Sequence, residues 1–262
     1  MNRIIVIAYI LLLNLIRRKD LYVLMILMAT MLITLTSFNI FGLGGAVRYI
    51  ADIGLMMTWL FSWILAITIT ARELPGEENR GTILNILAKP VSRFELIAGK
   101  WFGAWAVTCL ATAAFYLLVA AVIAMKGDAL QIPTLLQCFF LHSVSNAVIT
   151  AIAIALSTRM NSDAAVTLSF VLSGAAFLVV PRIPAFLATE TGLRADLLLM
   201  LYNILPHLEV FDLRMRVVHD FGPVGAILMF KAAAYGITLT ALLIFIAFLS
   251  YRNKRFSRAQ LD

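Results

Sequence analysis

None of the chain's Asp and Glu residues falls inside its six long apolar runs, residues 21–41, 53–71, 101–125, 134–157, 164–181 and 224–250. A helix needs about 20 mostly apolar residues to cross a bilayer core. Backbone at that depth has to satisfy its own hydrogen bonds. Runs of this length and composition therefore predict an all-α integral membrane protein, a six-helix bundle forming one transmembrane domain over 1–262. Composition agrees, with 62% hydrophobic and 13% charged residues and a mean hydropathy of +0.96. Soluble domains carry roughly 45–50% apolar and about 25% charged residues. Little polar mass is left for a separate catalytic or nucleotide-binding domain.

The first 20 residues read as a separate element. Residues 4–16 are apolar but too short to span, and Arg17, Arg18, Lys19 and Asp20 follow where a signal peptide would carry small residues. The expectation is a helix lying along the inner interface with its basic end at the headgroups, or alternatively a shortened, uncleaved span. The net charge of +7 is explained by the positive-inside rule and calls for no nucleic acid. The segments 1–20, 72–100, 158–163 and 251–262, all on one side, carry 14 of the 21 Lys and Arg, and the opposite segments carry 6. Both termini and the 72–100 insert are thus expected to be cytoplasmic, in an inner (plasma) membrane. The basic tail after residue 251 is expected to meet anionic headgroups. On the opposite side, residues 182–223 contain the apolar stretch 195–205, which predicts one or two short helices dipping into the outer leaflet. Cys109 and Cys138 lie in separate runs without metal or redox spacing and read as buried small hydrophobes.

The segment 77–100 is a charged insert of helical character between two spans. Pro75 and Gly76 are expected to end the preceding helix. A short surface helix over 77–88 would begin with Glu77 and Glu78, where the helix dipole favours acids. Its apolar face would comprise Ile83, Leu84, Ile86 and Leu87. Pro90 would stop it. Ser92 and Glu95 have capping-box spacing and predict a new helix start. A short helix held between two spans by rigid turns can receive a push from a partner; it can also simply rest on lipid.

The same run carries a resemblance. Glu78, Gly81-Thr82, Leu84, Leu87, Pro90-Val91-Ser92-Arg93 and Gly99-Lys100 resemble the coupling-helix region of ABC-2 type exporter permeases. The subgroup most resembled includes the permease for nitrous oxide reductase maturation. The six spans, amino-terminal interfacial helix and helical outer loop resemble that family in layout. The resemblance implies a permease subunit that exports a substrate with energy from a separate ATP-binding cassette subunit. It also implies pairing with a second copy or a similar permease. It assigns ATPase coupling to Glu77, Glu78, Arg80, Gly81, Thr82, Leu84, Leu87, Pro90, Arg93 and Lys100. No GxxxxGK[ST] loop is present. ATP and magnesium would therefore sit on the partner, and this chain would hold no cofactor.

Spans without acids argue against a proton- or sodium-driven carrier, which generally needs ionisable groups at depth. His142, Asn146 and Thr150 share one helix face. They would either line a substrate path or bond neighbouring helices within the bundle. One histidine makes no metal site, and the 11 methionines are scattered. Gly99 and Gly103 have GxxxG spacing, and Ala147, Ala151 and Ala155 repeat at four; both patterns allow close helix approach. Trp101 and Trp105 are expected at the inner headgroup level. A membrane-embedded enzyme lacks clustered acids, nucleophiles or ligands to work with. A scaffold or regulatory subunit remains an alternative to transport. The substrate is not legible.

Overall fold

The computed structural model describes residues 3–16, 19–37, 46–81, 92–126, 131–252 and 254. Among the described residues all regular structure is helical. The helices are α1 (Arg3–Ile16), α2 (Lys19–Ser37), α3 (Ala46–Asn79), α4 (Arg93–Met125), α5 (Ile132–Ser157) and α6 (Ser162–Leu178). They continue with α7 (Ile183–Leu187), α8 (Leu193–Ile204), α9 (Arg214–Val218) and α10 (Ala226–Arg252). Short 3-10 turns at Val180–Arg182 and Leu208–Phe211 join the later elements.

Five helical stretches are long and apolar enough to cross a bilayer: Arg48–Asn79, Arg93–Met125, Ile132–Ser157, Ser162–Leu187 and Ala226–Arg252. They correspond to the last five apolar runs. The first run falls on α2, whose apolar stretch Tyr22–Thr34 is shorter; residues 38–41 of that run lie outside the described residues. The bundle is built around α3 and α5, which pack on each other and on α4 and α6, with α10 against α5 and α4. In α5 the side chains are buried on nearly every face, as expected of a helix enclosed by others. Of its alanine repeat, Ala151 is fully buried, Ala147 is buried and Ala155 is half-buried.

The helix expected to stop at Pro75–Gly76 does not stop there. α3 runs through Pro75 to Asn79. Proline removes one amide donor, but Leu74 beside it is fully buried among Leu96, Ile97, Ile154 and Ile244. That packing keeps the last turns helical. The end comes at Gly81, whose φ of +67° is a left-handed conformation that glycine adopts without strain. The capping box is present as expected. Ser92 accepts from the Glu95 amide at 3.2 Å, and Glu95 accepts from the Ser92 amide at 2.7 Å.

The amino-terminal helix packs along the first turns of α4, and the GxxxG pair is where it docks. A Cβ placed on Gly103 would come within 2.9 Å of the Ala8 carbonyl oxygen, and one on Gly99 within 2.9 Å of Ile7 Cβ. Ala8 and Leu11 are buried by this contact, while Ile5, Tyr9 and Ile10 face outward.

Trp101 and Trp105 stack on each other and donate their indole N–H groups to α5 carbonyls, Ala147 at 3.1 Å and Ser143 at 2.8 Å. They tie α4 to α5, which their expected placement at the headgroups did not include. At the opposite end of the bundle, the segment after α6 is helical as expected, and α8 buries none of its residues. The part that follows α8 folds inward. Leu208, Phe211, Val217 and Val218 are buried between the long helices. Gly236 of α10 makes room, since a Cβ there would collide with Val144 and lie 3.0 Å from Phe211. Gln137 of α5 holds the end of this plug by bonding both the amide and the carbonyl of Val224, at 2.7 and 2.9 Å.

Gly103→Ala should therefore loosen α1 from α4. Overpacking of this kind costs about 1–3 kcal/mol. A lower melting temperature in detergent, with faster protease cleavage between α1 and α2, is the expected result; an unchanged melting curve would contradict this account of the docking.

Candidate coupling site at the α3–α4 junction

Where α3 ends and α4 begins, charged side chains from four helices converge. Glu73 and Glu77 lie one turn apart on α3 and so share a face. Lys100, on the second turn of α4, reaches back between them. Its ammonium is 3.3 Å from Glu73 Oε2 and also bonds Glu77 Oε1. The Lys100 side chain is only 4% exposed, against 13% for Glu73 and 23% for Glu77. A lysine this deeply enclosed needs both carboxylates to offset its lost hydration.

A second ion pair reaches the end of α10. Lys254 donates to both carboxylate oxygens of Glu78, at 2.6 and 2.9 Å, and to the Thr158 carbonyl at the end of α5, at 3.0 Å. Its ammonium also lies 5.6 Å from the ring centre of the buried Tyr251. The basic tail was expected at lipid headgroups; Lys254 instead folds onto α3 and α5. The third link starts on α4. Arg93 Nη1 lies 2.7–2.8 Å from the carbonyls of Tyr251, Arg252 and Lys254. The last carbonyls of a helix lack intrahelical donors and form the negative end of its dipole. A guanidinium from another helix thus caps α10. Arg159 and Thr158 complete the ring by donating to Ser250 of α10 at 2.7 and 3.1 Å.

Glu77 and Glu78 therefore occupy the end of α3, not the start of a new helix. Acids at a helix C-terminus oppose the dipole, and Lys100 and Lys254 supply the compensating charge. Of the residues assigned to coupling, Glu77, Glu78, Arg93 and Lys100 are brought together by this network. Arg80 and Gly81 form the turn that ends α3. Thr82, Leu84, Leu87 and Pro90 lie outside the described residues, as does the stretch 82–88 of the expected surface helix. The stretch 82–91 thus leaves from one ionic anchor and returns to another.

Glu73 belongs to the network but was not singled out by the sequence reading, which had placed Lys254 in the basic tail and not at this junction. A signal existed for Glu73: two acids at i, i+4 facing a lysine that opens the next apolar run. Nothing in the sequence placed Lys254 here, since its partner is 176 positions away.

The polar stripe of α5 lies deeper. His142, Asn146 and Thr150 are all buried. His142 Nε2 is 2.6 Å from Ser62 Oγ and its Nδ1 is 3.3 Å from the Tyr116 hydroxyl. The ring stacks on Trp59 at a centroid distance of 4.3 Å. Asn146 donates to Thr112 at 3.2 Å, and Thr150 bonds its own helix at the Asn146 carbonyl. The stripe thus joins α5 to α3 and α4. Arg214 lies 5.4 Å from the Trp59 ring centre and is held by Asp212 through bonds of 2.7–3.0 Å. Burial works to lower the Arg214 pKa, but the Asp212 carboxylate outweighs it and raises the value. Among the described residues no three His, Cys, Asp or Glu side chains are grouped to hold a metal ion.

The family model for ABC-2 family transporter proteins matches residues 5–261, and the chain belongs to that family. It is thus a membrane permease of an ABC transporter, a transmembrane subunit. No curated protein matches the chain.

Lys100→Met would remove the buried ammonium that bonds both Glu73 and Glu77. Breaking a buried pair in this way costs about 3 kcal/mol, near the lower end of the usual range because Glu77 is partly solvated. Adding Glu73→Gln and Glu77→Gln should recover most of the lost thermal stability. If Lys100→Met melts like the parent, the buried-triad account is wrong.

Proposed function

We propose that this chain is the permease of an exporter whose energy comes from a separate ATP-binding cassette subunit, which docks on residues 77–88. The observation that carries this reading is the pair of ionic anchors flanking 82–91. One binds α3 to α4 through Glu73, Glu77 and Lys100, and the other binds α3 to α10 through Glu78 and Lys254. A displacement of the connecting stretch would be delivered to three long helices at once, because salt-bridged helix ends move together. Arg93 adds stiffness by tying the start of α4 to the end of α10.

The same reading places the termini and this junction in the cytoplasm, where the ATPase is found, consistent with the excess of Lys and Arg on that side. A second permease copy, or a similar chain, completes the transporter. ATP and magnesium are bound by the partner. His142, Asn146 and Thr150, with Thr112 and Ser62, make the polar band of the bundle interior, and a substrate path would open along it as the helices separate.

Two experiments bear on this reading. Purification of the tagged chain from its native membrane should bring down a stoichiometric protein with a Walker A loop. Recovery of the folded chain alone, even after cross-linking, would refute it. In the assembled complex, Glu78→Lys should reduce transport-linked ATP hydrolysis several-fold, and Glu78→Lys with Lys254→Glu should restore most of it. If the double variant is no better than the single one, the anchor does not transmit the stroke.

A further inference from the structure

At the end of the bundle away from the ionic junction, a pocket of about 440 Å³ opens between α5, the inward-folded segment and the first turns of α10. Its volume falls within the range of small-molecule sites. The walls are mostly aliphatic, with Leu141, Val210, Leu213 and Leu228 among them. Among the described residues, three polar side chains line it: His207, Lys231 and Tyr235.

These three are not equivalent. His207 Nδ1 is engaged with Glu209 at 2.8 Å. The Tyr235 hydroxyl accepts the His207 amide at 3.0 Å, which leaves its own O–H free to donate. Lys231 is exposed and, among the described residues, has no hydrogen bond or ion pair. It stands five residues into α10, about 7 Å along the helix from its start, with Ile227, Leu228 and Phe230 exposed beside it. A lysine near the end of an apolar span reaches the interface with its ammonium, where an anionic group can meet it. Among the described residues the pocket therefore offers one unpaired cation and one spare hydroxyl donor above aliphatic walls; of the two carboxylates next to lining residues, Asp212 is held by Arg214 and Glu209 bonds His207 through Oε1 alone.

We infer that this pocket binds an anionic amphiphile, with its phosphate or carboxylate head on Lys231 and Tyr235 and its acyl chain along Leu141, Leu213 and Leu228. With the orientation proposed above, the ligand enters from the outer leaflet. The chemistry is the same whether the molecule is a resident lipid of the bilayer or a cargo on its way out. The binding test does not require the ATPase, so its failure would leave the exporter reading untouched.

The test uses the full chain in nanodiscs of equal parts phosphatidylglycerol and phosphatidylcholine, with retained lipid read by native mass spectrometry. The parent should prefer phosphatidylglycerol by about fivefold, the contribution of one lysine near a membrane surface. Lys231→Gln should abolish the preference. Leu228→Trp keeps the charge and fills the pocket from an exposed position; it too should abolish retention. If Leu228→Trp retains lipid like the parent, Lys231 merely attracts headgroups at the surface and the pocket proposal falls. It also falls if Lys231→Gln, with a parent-like melting temperature, keeps the preference. In the assembled complex, loss of the bound lipid on ATP addition identifies it as cargo, and persistence identifies it as a resident lipid.

Discussion

The burial of one lysine organises the junction between α3 and α4. Lys100 enters the bundle where α4 begins, almost without solvent, in a chain whose apolar runs hold no acids. Its charge is tolerable only if carboxylates come to it, and α3 has to remain helical past Pro75 to bring Glu73 and Glu77 one turn apart on the right face. That extension puts Glu78 within reach of Lys254 and delays the chain reversal to Gly81. The geometry of the junction, including where 82–91 begins, thus follows from the need to neutralise Lys100.

Elsewhere the helices are held by contacts that need little side-chain volume. In lipid there is no hydrophobic drive between helices, so close packing and hydrogen bonds have to hold them. Gly99 and Gly103 let α1 lie against α4 at backbone distance, and Gly236 admits Phe211 and Val144. The tryptophans contribute through their N–H groups: Trp101 and Trp105 bond the α5 backbone and Trp63 bonds Ser173 at 2.8 Å. Each of these joins a large apolar ring to a directional bond. This is how a bundle poor in charge gains defined pairings.

The legible features were those with local causes. Apolar run length gave the five helices long enough to cross a bilayer, the Ser92–Glu95 spacing gave the start of α4, and glycine spacing gave a close-contact face, though not its partner. The end of α3 was misread because proline and glycine are local signals, whereas Leu74 is held by residues far away in sequence. The headgroup role expected for Trp101 and Trp105 failed to anticipate their bonds for a similar reason: a tryptophan near an interface also serves as a donor, and a carbonyl in α5 was within reach. The inward fold of 208–218 was not visible at all. Its apolar residues are too few to form a periodic pattern, and they are buried only because Gly236 and Gln137 prepare the place.

The two ends of the bundle are secured by different physics, and this bears on how it can move. The junction end is joined by ion pairs and a guanidinium cap, which are directional and stiff. The far end is filled by Leu208, Phe211, Val217 and Val218, whose apolar contacts can slide without leaving a charge exposed. Between them lies a polar band that is incompletely satisfied. Asn146 Oδ1, Ser145 Oγ, Thr240 Oγ1 and Trp59 Nε1 are buried without hydrogen-bond partners among the described residues. Buried polar groups are normally paired, and each exception calls for a reason. Separation of α3, α4 and α5 would hydrate these groups and recover part of the cost of opening, whereas a fully satisfied or wholly aliphatic interior would resist it. Under the proposed docking at the ionic end, a stiff junction, a sliding far end and an under-satisfied centre together favour a bundle that rocks about its apolar plug.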